Sequence, residues 1–285
     1  MSDASVGKQW WDAAYQRQGH TGWADRLVYA YDQPIRRASV RAALAQVYGQ
    51  SLAGVQALDA GCGTGDFAAL LHDRGAQVVA FDFSPLVVEA AQRRWPASDR
   101  LSFTCASITS VPAPAGFANL VTCVTVLQHL TRDEDHATAL AELRRVLAPQ
   151  GAILLLELAP PLSEPKRSPD GHVIERPPAA WRKALAQAGL RIEREAVYPQ
   201  WGITSLRLLA SAIDRIRGTQ ASAAATTAPA AEGAGSPGVA RRALRLALQT
   251  VRLLLLALCT PLDHLFRLPV PQRQRYYRLW ILRQS

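Results

Sequence analysis

Apolar residues along this chain follow two alternating rhythms. Short, nearly continuous apolar runs fall at 55–59, 78–82, 101–105, 120–124, 153–156 and 190–197. Between them lie longer stretches with apolar residues every three or four positions, including one that ends near Arg74, one that opens at Pro85, and those at 133–147 and 178–188. The first rhythm predicts strands buried on both faces and the second predicts helices. Local punctuation agrees. Gly75 and Gly189 follow helical stretches as C-caps, and Ser84 before Pro85 reads as an N-cap with proline in the first turn. Pro149 and Gly151 mark the end of the 133–147 helix. Strands alternating with helices of this length predict βαβ units around a parallel sheet.

Outside that core, residues 8–48 read as helical and carry Trp10, Trp11, Tyr15, Trp23, Tyr29 and Tyr31, with Gly49 as the break. Residues 160–178 are rich in proline and charge and read as a mobile loop. A further helix is expected at 203–217. Residues 218–238 are of low complexity, too poor in large apolar side chains to build a core, and read as a disordered linker. An apolar helix follows at 239–259, and 276–282 alternates like a strand. The expected division is an N-terminal helical cap at 1–50, a core at 51–217, the linker at 218–238, a basic amphipathic helical insertion at 239–272 and a final core strand at 273–285.

Charge separates the parts of the chain. The formal net charge is +9, but residues 239–285 hold nine arginines against the one acid Asp263, a net +8, which leaves +1 for residues 1–238. On the 239–259 helix, Leu244, Leu248, Val251, Leu255 and Leu258 fall on one face and Arg241, Arg245, Gln249 and Arg252 on the other. Such a helix suits an anionic membrane surface, a cover over a pocket, a dimer contact or simple packing on the domain. Its apolar run is too short for a membrane span. The N-terminus shows no signal-peptide pattern, so a cytoplasmic protein is expected, peripheral to the membrane if the helix binds lipid. The four cysteines form no metal-ligand spacing, and no metal site is expected; Cys62, Cys105 and Cys123 lie in apolar or glycine-rich stretches that suggest buried thiols.

The chemistry concentrates in Ala57-Leu58-Asp59-Ala60-Gly61-Cys62-Gly63-Thr64-Gly65-Asp66-Phe67. A strand ends on an acid, and glycines follow at alternate positions, where they permit a sharp turn and close approach of a ligand to the backbone. The spacing is G-x-G-x-G and not the G-x-G-x-x-G of dinucleotide folds. Asp66 at the following helix start also disfavours a diphosphate.

The run resembles motif I of the class I S-adenosylmethionine (SAM)-dependent methyltransferases, D-x-G-C-G-T-G. Asp82 ends the next strand as that family's second acid does. Cys123–Leu130 resembles its fourth-strand motif, and Arg144 through Gly151 resembles its R-x-L-K-P-G-G turn. The resemblance covers about 55–158. It implies an α/β, Rossmann-like fold: a seven-stranded, mostly parallel sheet with helices on both faces, the last strand antiparallel, and here a helical insertion between strands six and seven. It implies SAM as cofactor, with Gly61, Gly63 and Gly65 beside its amino-acid end and Asp59 positioning that end directly or through the loop. By the same resemblance Asp82 binds the ribose, Phe83 flanks the adenine, and Ser107, Ile108 and Val124 complete the pocket. Ser107 stands where the family often has an Asp.

His129 is the candidate general base, because it follows the fourth strand at the ligand-binding edge of such sheets; a capping or buried histidine is the alternative. Trp11, Trp23 and Tyr31 are candidates for a lid over the acceptor, although ordinary helix packing is the favoured reading for Trp10 and Trp11. The expected function is methyl transfer to oxygen, nitrogen or carbon of a small or amphipathic molecule. An RNA or protein methyltransferase and a SAM-binding interaction protein without turnover are the alternatives. No nucleic-acid module is evident.

Overall fold

The computed structural model describes residues 3–21, 26–169, 171–198, 201–206, 208–209, 237–265 and 276–285. Contacts divide the chain into two units: Met1–Tyr198 with Pro271–Ser285, and Pro199–Val270.

The first unit opens with helices α1 (Asp3–Gln18) and α2 (Arg26–Tyr48). The single helical stretch expected at 8–48 is therefore two helices, and Gly19 turns the chain after the first with a φ of 75°. There follow β1 (Gln56–Ala60), α3 (Asp66–Asp73), β2 (Gln77–Asp82), α4 (Pro85–Arg94), β3 (Leu101–Cys105) and β4 (Ala118–Val124). A short 3₁₀ turn, Leu127–His129, leads into α5 (Asp133–Val146) and β5 (Leu147–Leu158). A two-strand hairpin, β6 (Lys166–Arg167) and β7 (Ile174–Glu175), precedes α6 (Pro178–Gln187) and β8 (Leu190–Val197), and β9 (Tyr277–Gln284) ends the sheet.

The sheet order is β3-β2-β1-β4-β5-β9-β8. The first five strands pair in parallel, while β9 is antiparallel to both β5 and β8. This is the expected Rossmann-like sheet, with the last strand reversed and an insertion before it. Alternate residues of each strand feed opposite faces. Ala57, Leu154, Leu156, Leu279 and Ile281 pack with Ile35, Leu44, Leu71 and Val88 from α2, α3 and α4. Leu58, Ile153, Leu155, Trp280 and Leu282 pack with Leu140, Leu143, Trp181 and Leu185 from α5 and α6. Burial on both faces explains why the central strands read as unbroken apolar runs.

Three expectations are corrected here. The 160–178 segment contains the β6–β7 hairpin, with Lys166 paired to Glu175 and Arg167 to Ile174. Its polarity reflects exposed strands, which local composition does not separate from a loop. β5 begins at Leu147, so Pro149 and Gly151 lie within its bounds rather than in a turn before it. Cys105 is exposed, because it ends the outermost strand β3; Cys62 and Cys123 are buried.

In the second unit, residues 201–206 are helical and a long helix spans Pro237–Thr260, continued by a π turn at Pro261–Leu265. The fully buried Asp263 accepts hydrogen bonds from the amides of Trp201 and Gly202, both at 2.7 Å, and so caps the start of the 201–206 stretch. On the long helix Leu256 and Cys259 are buried, whereas Val251, Leu253, Leu254 and Leu258 are exposed. The inward face is thus turned away from the one expected through Val251 and Leu258. Most of the helix expected at 203–217, and the linker as far as 236, lie outside the described residues.

Candidate active site

The strand order reverses between β1 and β4, where neighbouring connections leave in opposite directions and open a crevice at the carboxyl ends of the strands. A cavity of about 420 Å³ lies there. Gly61, Gly63, Asp82, Phe83, Ser107 and Ile108 line it from the ends of β1, β2 and β3. Val124, Val126 and His129 line it from the end of β4, joined by Trp10 and Trp11 of α1 and by His172 of the β6–β7 hairpin.

The glycine loop is shaped by close approach. Gly61 has a φ of 67°, and a Cβ there would overlap the side chain of Val126. Gly65 precedes α3 with a φ of 82°, and a Cβ would meet Trp95 at 2.7 Å and Phe103 at 3.0 Å. Gly65 therefore serves packing behind the loop and is not in the cavity wall. The loop is also tied to the second strand: Asp82 Oδ2 accepts a hydrogen bond from Gly63 N at 3.0 Å, and Oδ1 accepts one from Ser84 N at 3.1 Å. Burial raises the Asp82 carboxyl above its usual range, opposed by these amide donors.

Asp59 stands behind the wall. It is 2% exposed, and Thr122 Oγ1 donates to its Oδ1 at 2.7 Å. Burial pushes its carboxyl up to about 7, with the Thr122 hydrogen bond opposing. Asp59 is not among the residues that line the cavity. Asp66, at the start of α3, is paired with Arg94 at 2.9 Å, leaving an acid where a diphosphate would need an open helix end.

Of the remaining expected residues, Ser107, Ile108, Val124, His129 and Trp11 all line the cavity. Tyr31 packs against the core and not the cavity, since its position on α2 faces the sheet. Trp23 lies outside the described residues. Trp10, read as helix packing, instead lines the cavity and stacks on His172 at 4.2 Å between centroids. Trp11 meets His129 edge-on at 4.7 Å. The wall unites α1, the turn after β4 and the hairpin, segments that sequence spacing gives no reason to join.

Two further groups escaped sequence reading. Glu157, at the end of β5 and fully buried, accepts hydrogen bonds from the amides of Val126 at 2.8 Å, Leu127 at 2.7 Å and Gln128 at 3.2 Å. Burial pushes its carboxyl up to about 7 against those three donors. Arg36 of α2 lines the cavity, pairs with buried Asp32 at 2.6 Å and donates to Thr125 Oγ1 at 3.0 Å. Burial works against the Arg36 charge, but Asp32 overcomes it and holds the guanidinium protonated. Thr125 is the described non-glycine residue with positive φ, 57°, so Arg36 braces a strained turn. Glu157 follows an apolar run that reads simply as strand, and Arg36 sits in a stretch that reads simply as helix.

Comparison with known proteins agrees with this architecture. Residues 58–155 match the family described as a methyltransferase domain. The malonyl-(acyl-carrier protein) O-methyltransferase of Serratia marcescens is 39% identical over 111 residues, 39% of this chain and 41% of that protein. The demethylmenaquinone methyltransferase of Thermus thermophilus is 38% identical over 107 residues, 36% of this chain and 47% of that protein. The chain thus spans less than half the length of these two curated relatives. Among solved structures, the magnesium protoporphyrin IX methyltransferase of Synechocystis PCC 6803 with bound SAM superposes with a TM-score of 0.55 at 20% identity, covering 70% of this chain and 92% of that one. The 1,6-didemethyltoxoflavin-N1-methyltransferase of Burkholderia thailandensis, with bound 1,6-didemethyltoxoflavin and S-adenosylhomocysteine, gives 0.55 at 19% identity over 69% and 81% of the two chains. At those identities the likeness speaks to fold.

Sheet order and crevice define the Rossmann-like class I architecture. Within that architecture, residues 58–155 match a methyltransferase domain.

Proposed function

We propose that this protein transfers a methyl group from SAM to a small, flat, apolar acceptor seated against Trp10, Trp11, His129 and His172. The observation that carries the reading is a cavity with two chemically different walls, glycine loop and acid on one side and aromatic rings on the other. The first wall fits the cofactor: Gly61 and Gly63 bring backbone without side chains to the cavity surface, and Asp82 presents a carboxylate whose oxygens are already aimed by Gly63 and Ser84. Asp82 would hold the ribose hydroxyls, Phe83 and Ile108 would flank the adenine, and the glycine loop would hold the amino-acid end. When bound, SAM supplies a methyl carbon on a sulfonium, a group already activated for in-line displacement.

The protein's own contribution is alignment and exclusion of water. Trp10 and Trp11 place indole rings where a ring-shaped acceptor would stack, and the hairpin carrying His172 closes the same side. Arg176 Nη2 and Arg167 Nη2 donate to the carbonyls of Leu130 and Thr131, both at 3.0 Å, anchoring the hairpin to the turn after β4. Relatives named for demethylmenaquinone and ubiquinone biosynthesis support a quinoid ring as the acceptor class. A panel of a hydroquinone, a malonyl thioester and a structured RNA, assayed with labelled SAM, tests it. Label on the hydroquinone, lost in Trp10→Ala and Trp11→Ala, supports the reading. Label on RNA overturns it, as does S-adenosylhomocysteine binding with no turnover over an extended panel.

A second element of the proposal concerns place. No described helix is long and apolar enough to cross a membrane. The helix Pro237–Thr260 nevertheless exposes Leu254 at 60% and Leu258 at 73%, in a segment rich in arginine. This combination favours docking on an anionic lipid surface, where a lipid-soluble acceptor would be met. Flotation with anionic vesicles should carry the protein up, and Leu254→Ser/Leu258→Ser should leave it behind; absence of flotation at low salt removes this element.

A further inference from the structure

His129 is held by a chain of contacts that begins two elements away. Glu157, at the end of β5, binds the amides of Val126, Leu127 and Gln128 and so fixes the turn that carries Gln128 and His129. The Gln128 side chain is 6% exposed, and its Oε1 accepts from the amide of Leu158 at 3.3 Å. An amide N–H can only donate, so the Gln128 oxygen must face Leu158 and its Nε2 must face the imidazole. Gln128 Nε2 lies 3.2 Å from His129 Nε2. On the other side of the ring, His129 Nδ1 lies 3.2 Å from the carbonyl oxygen of His172. A carbonyl can only accept, so Nδ1 carries the proton. The two constraints give the same answer: a neutral ring with hydrogen on Nδ1 and its one lone pair, on Nε2, engaged by Gln128.

We propose that Glu157 and Gln128 are positioning residues that lock His129 as the Nδ1–H tautomer, so that His129 serves as a fixed wall for the acceptor and not as its general base. This deepens the methyltransferase reading and rests on it for the presence of an acceptor. The physical reason is inventory. A ring whose lone pair already accepts a hydrogen bond cannot take a proton until Gln128 turns away, and the Leu158 amide holds Gln128 in place. Nor can Gln128 simply reverse, because its NH₂ would then face the Leu158 N–H and its oxygen would face the imidazole lone pair, donor against donor and acceptor against acceptor. The ring is further confined by the edge of Trp11 at 4.7 Å and by stacking with His172 at 5.6 Å.

The consequence bears on substrate class. Methyl transfer forms one bond from the acceptor's lone pair to the methyl carbon while the carbon–sulfur bond breaks and its electron pair stays on sulfur. With no proton taken by His129, the favoured acceptors bring a lone pair ready to react: a phenolate or hydroquinone anion, or a carboxylate. An unactivated alcohol, which must lose its proton in the act, is disfavoured.

Long-range proton–nitrogen NMR of the ¹⁵N-histidine-labelled full chain tests this without any acceptor. His129, assigned by loss of its signal in His129→Gln, should show a protonated Nδ1 and a bare Nε2 across pH 6.5 to 8. Gln128→Leu should release the ring, giving a mixture of tautomers, and Glu157→Gln should do so in part by loosening the turn. Calorimetry with S-adenosylhomocysteine on the same variants should stay within about threefold of wild type, since neither side chain is in the cofactor wall. A wild-type ring protonated on Nε2 overturns the proposal, as does a tautomer unchanged in Gln128→Leu. If Glu157→Gln fails to fold, those two measurements still decide. A failed methyltransferase reading would appear separately, as absence of S-adenosylhomocysteine binding with the tautomer as stated.

Discussion

Asp82 and Gly63 are joined across two strands by a hydrogen bond of 3.0 Å, from the glycine amide to the carboxylate Oδ2. The acid at the end of β2 therefore does two things at once. It faces the cavity, and it sets the path of the loop that forms the cavity's floor. Replacement of Asp82 by Ala removes both. We expect S-adenosylhomocysteine affinity to fall by roughly ten- to a hundredfold, as befits loss of charge-assisted hydrogen bonds worth about 1.5–3 kcal/mol. Calorimetric titration measures it. Unchanged affinity would remove Asp82 from the cofactor site.

Gly61→Ala should be damaging for two separable reasons. The residue has a φ of 67°, and its new Cβ would overlap Val126. Strain in that backbone region costs about 1–3 kcal/mol. Adding Val126→Ala relieves the collision but not the strain, so the double variant should recover part of the lost stability and no more. Full recovery in thermal unfolding would mean the backbone conformation is not under strain.

Burial of the Asp32–Arg36 pair predicts an asymmetry. Arg36→Met alone leaves Asp32 as an uncompensated buried acid, which should cost about 3–5 kcal/mol. Asp32→Leu with Arg36→Met removes both charges and should be milder in urea unfolding, although Tyr198 loses the Asp32 Oδ1 acceptor it holds at 2.7 Å. A double variant worse than the sum of the singles would contradict this account.

The pH dependence follows from the two buried carboxyls. Asp59 and Glu157 are both pushed up to about 7 by burial, while unfolded carboxyls titrate near about 4. Between those values the folded chain holds more protons than the unfolded one, so these groups make stability fall as pH rises from about 4 to about 7. His136, pushed down to about 3, acts in the opposite sense as pH rises to its unfolded value near 6.5. Comparing proteins at each pH isolates the carboxyl: Glu157→Gln should gain on wild type as pH climbs from 5 to about 7.5, by roughly a few degrees in melting temperature. A constant difference across that range would show that Glu157 is not held protonated by the fold.

The sheet was legible along the chain because buried strands must be continuous apolar runs, and the helices between them carry their own stops at Gly75 and Gly189. The glycine-loop side of the cavity was legible for a related reason. Gly61, Gly63 and Asp82 work through local backbone geometry at strand ends, so spacing alone brings them together. Tertiary structure decided the rest. Trp10, His129 and His172 meet only because α1, the turn after β4 and the β6–β7 hairpin converge over one crevice. The roles of Glu157 and Arg36 depend on which amide, hydroxyl or carboxylate each side chain finds once buried. A buried polar group is defined by its partner, and that partner lies 30 residues away for Glu157 and, in the contact by which Arg36 braces Thr125, 89 residues away. No periodicity of the chain encodes such a distance, so the sequence determined the sheet and the glycine loop, and the fold determined what lines the rest of the cavity.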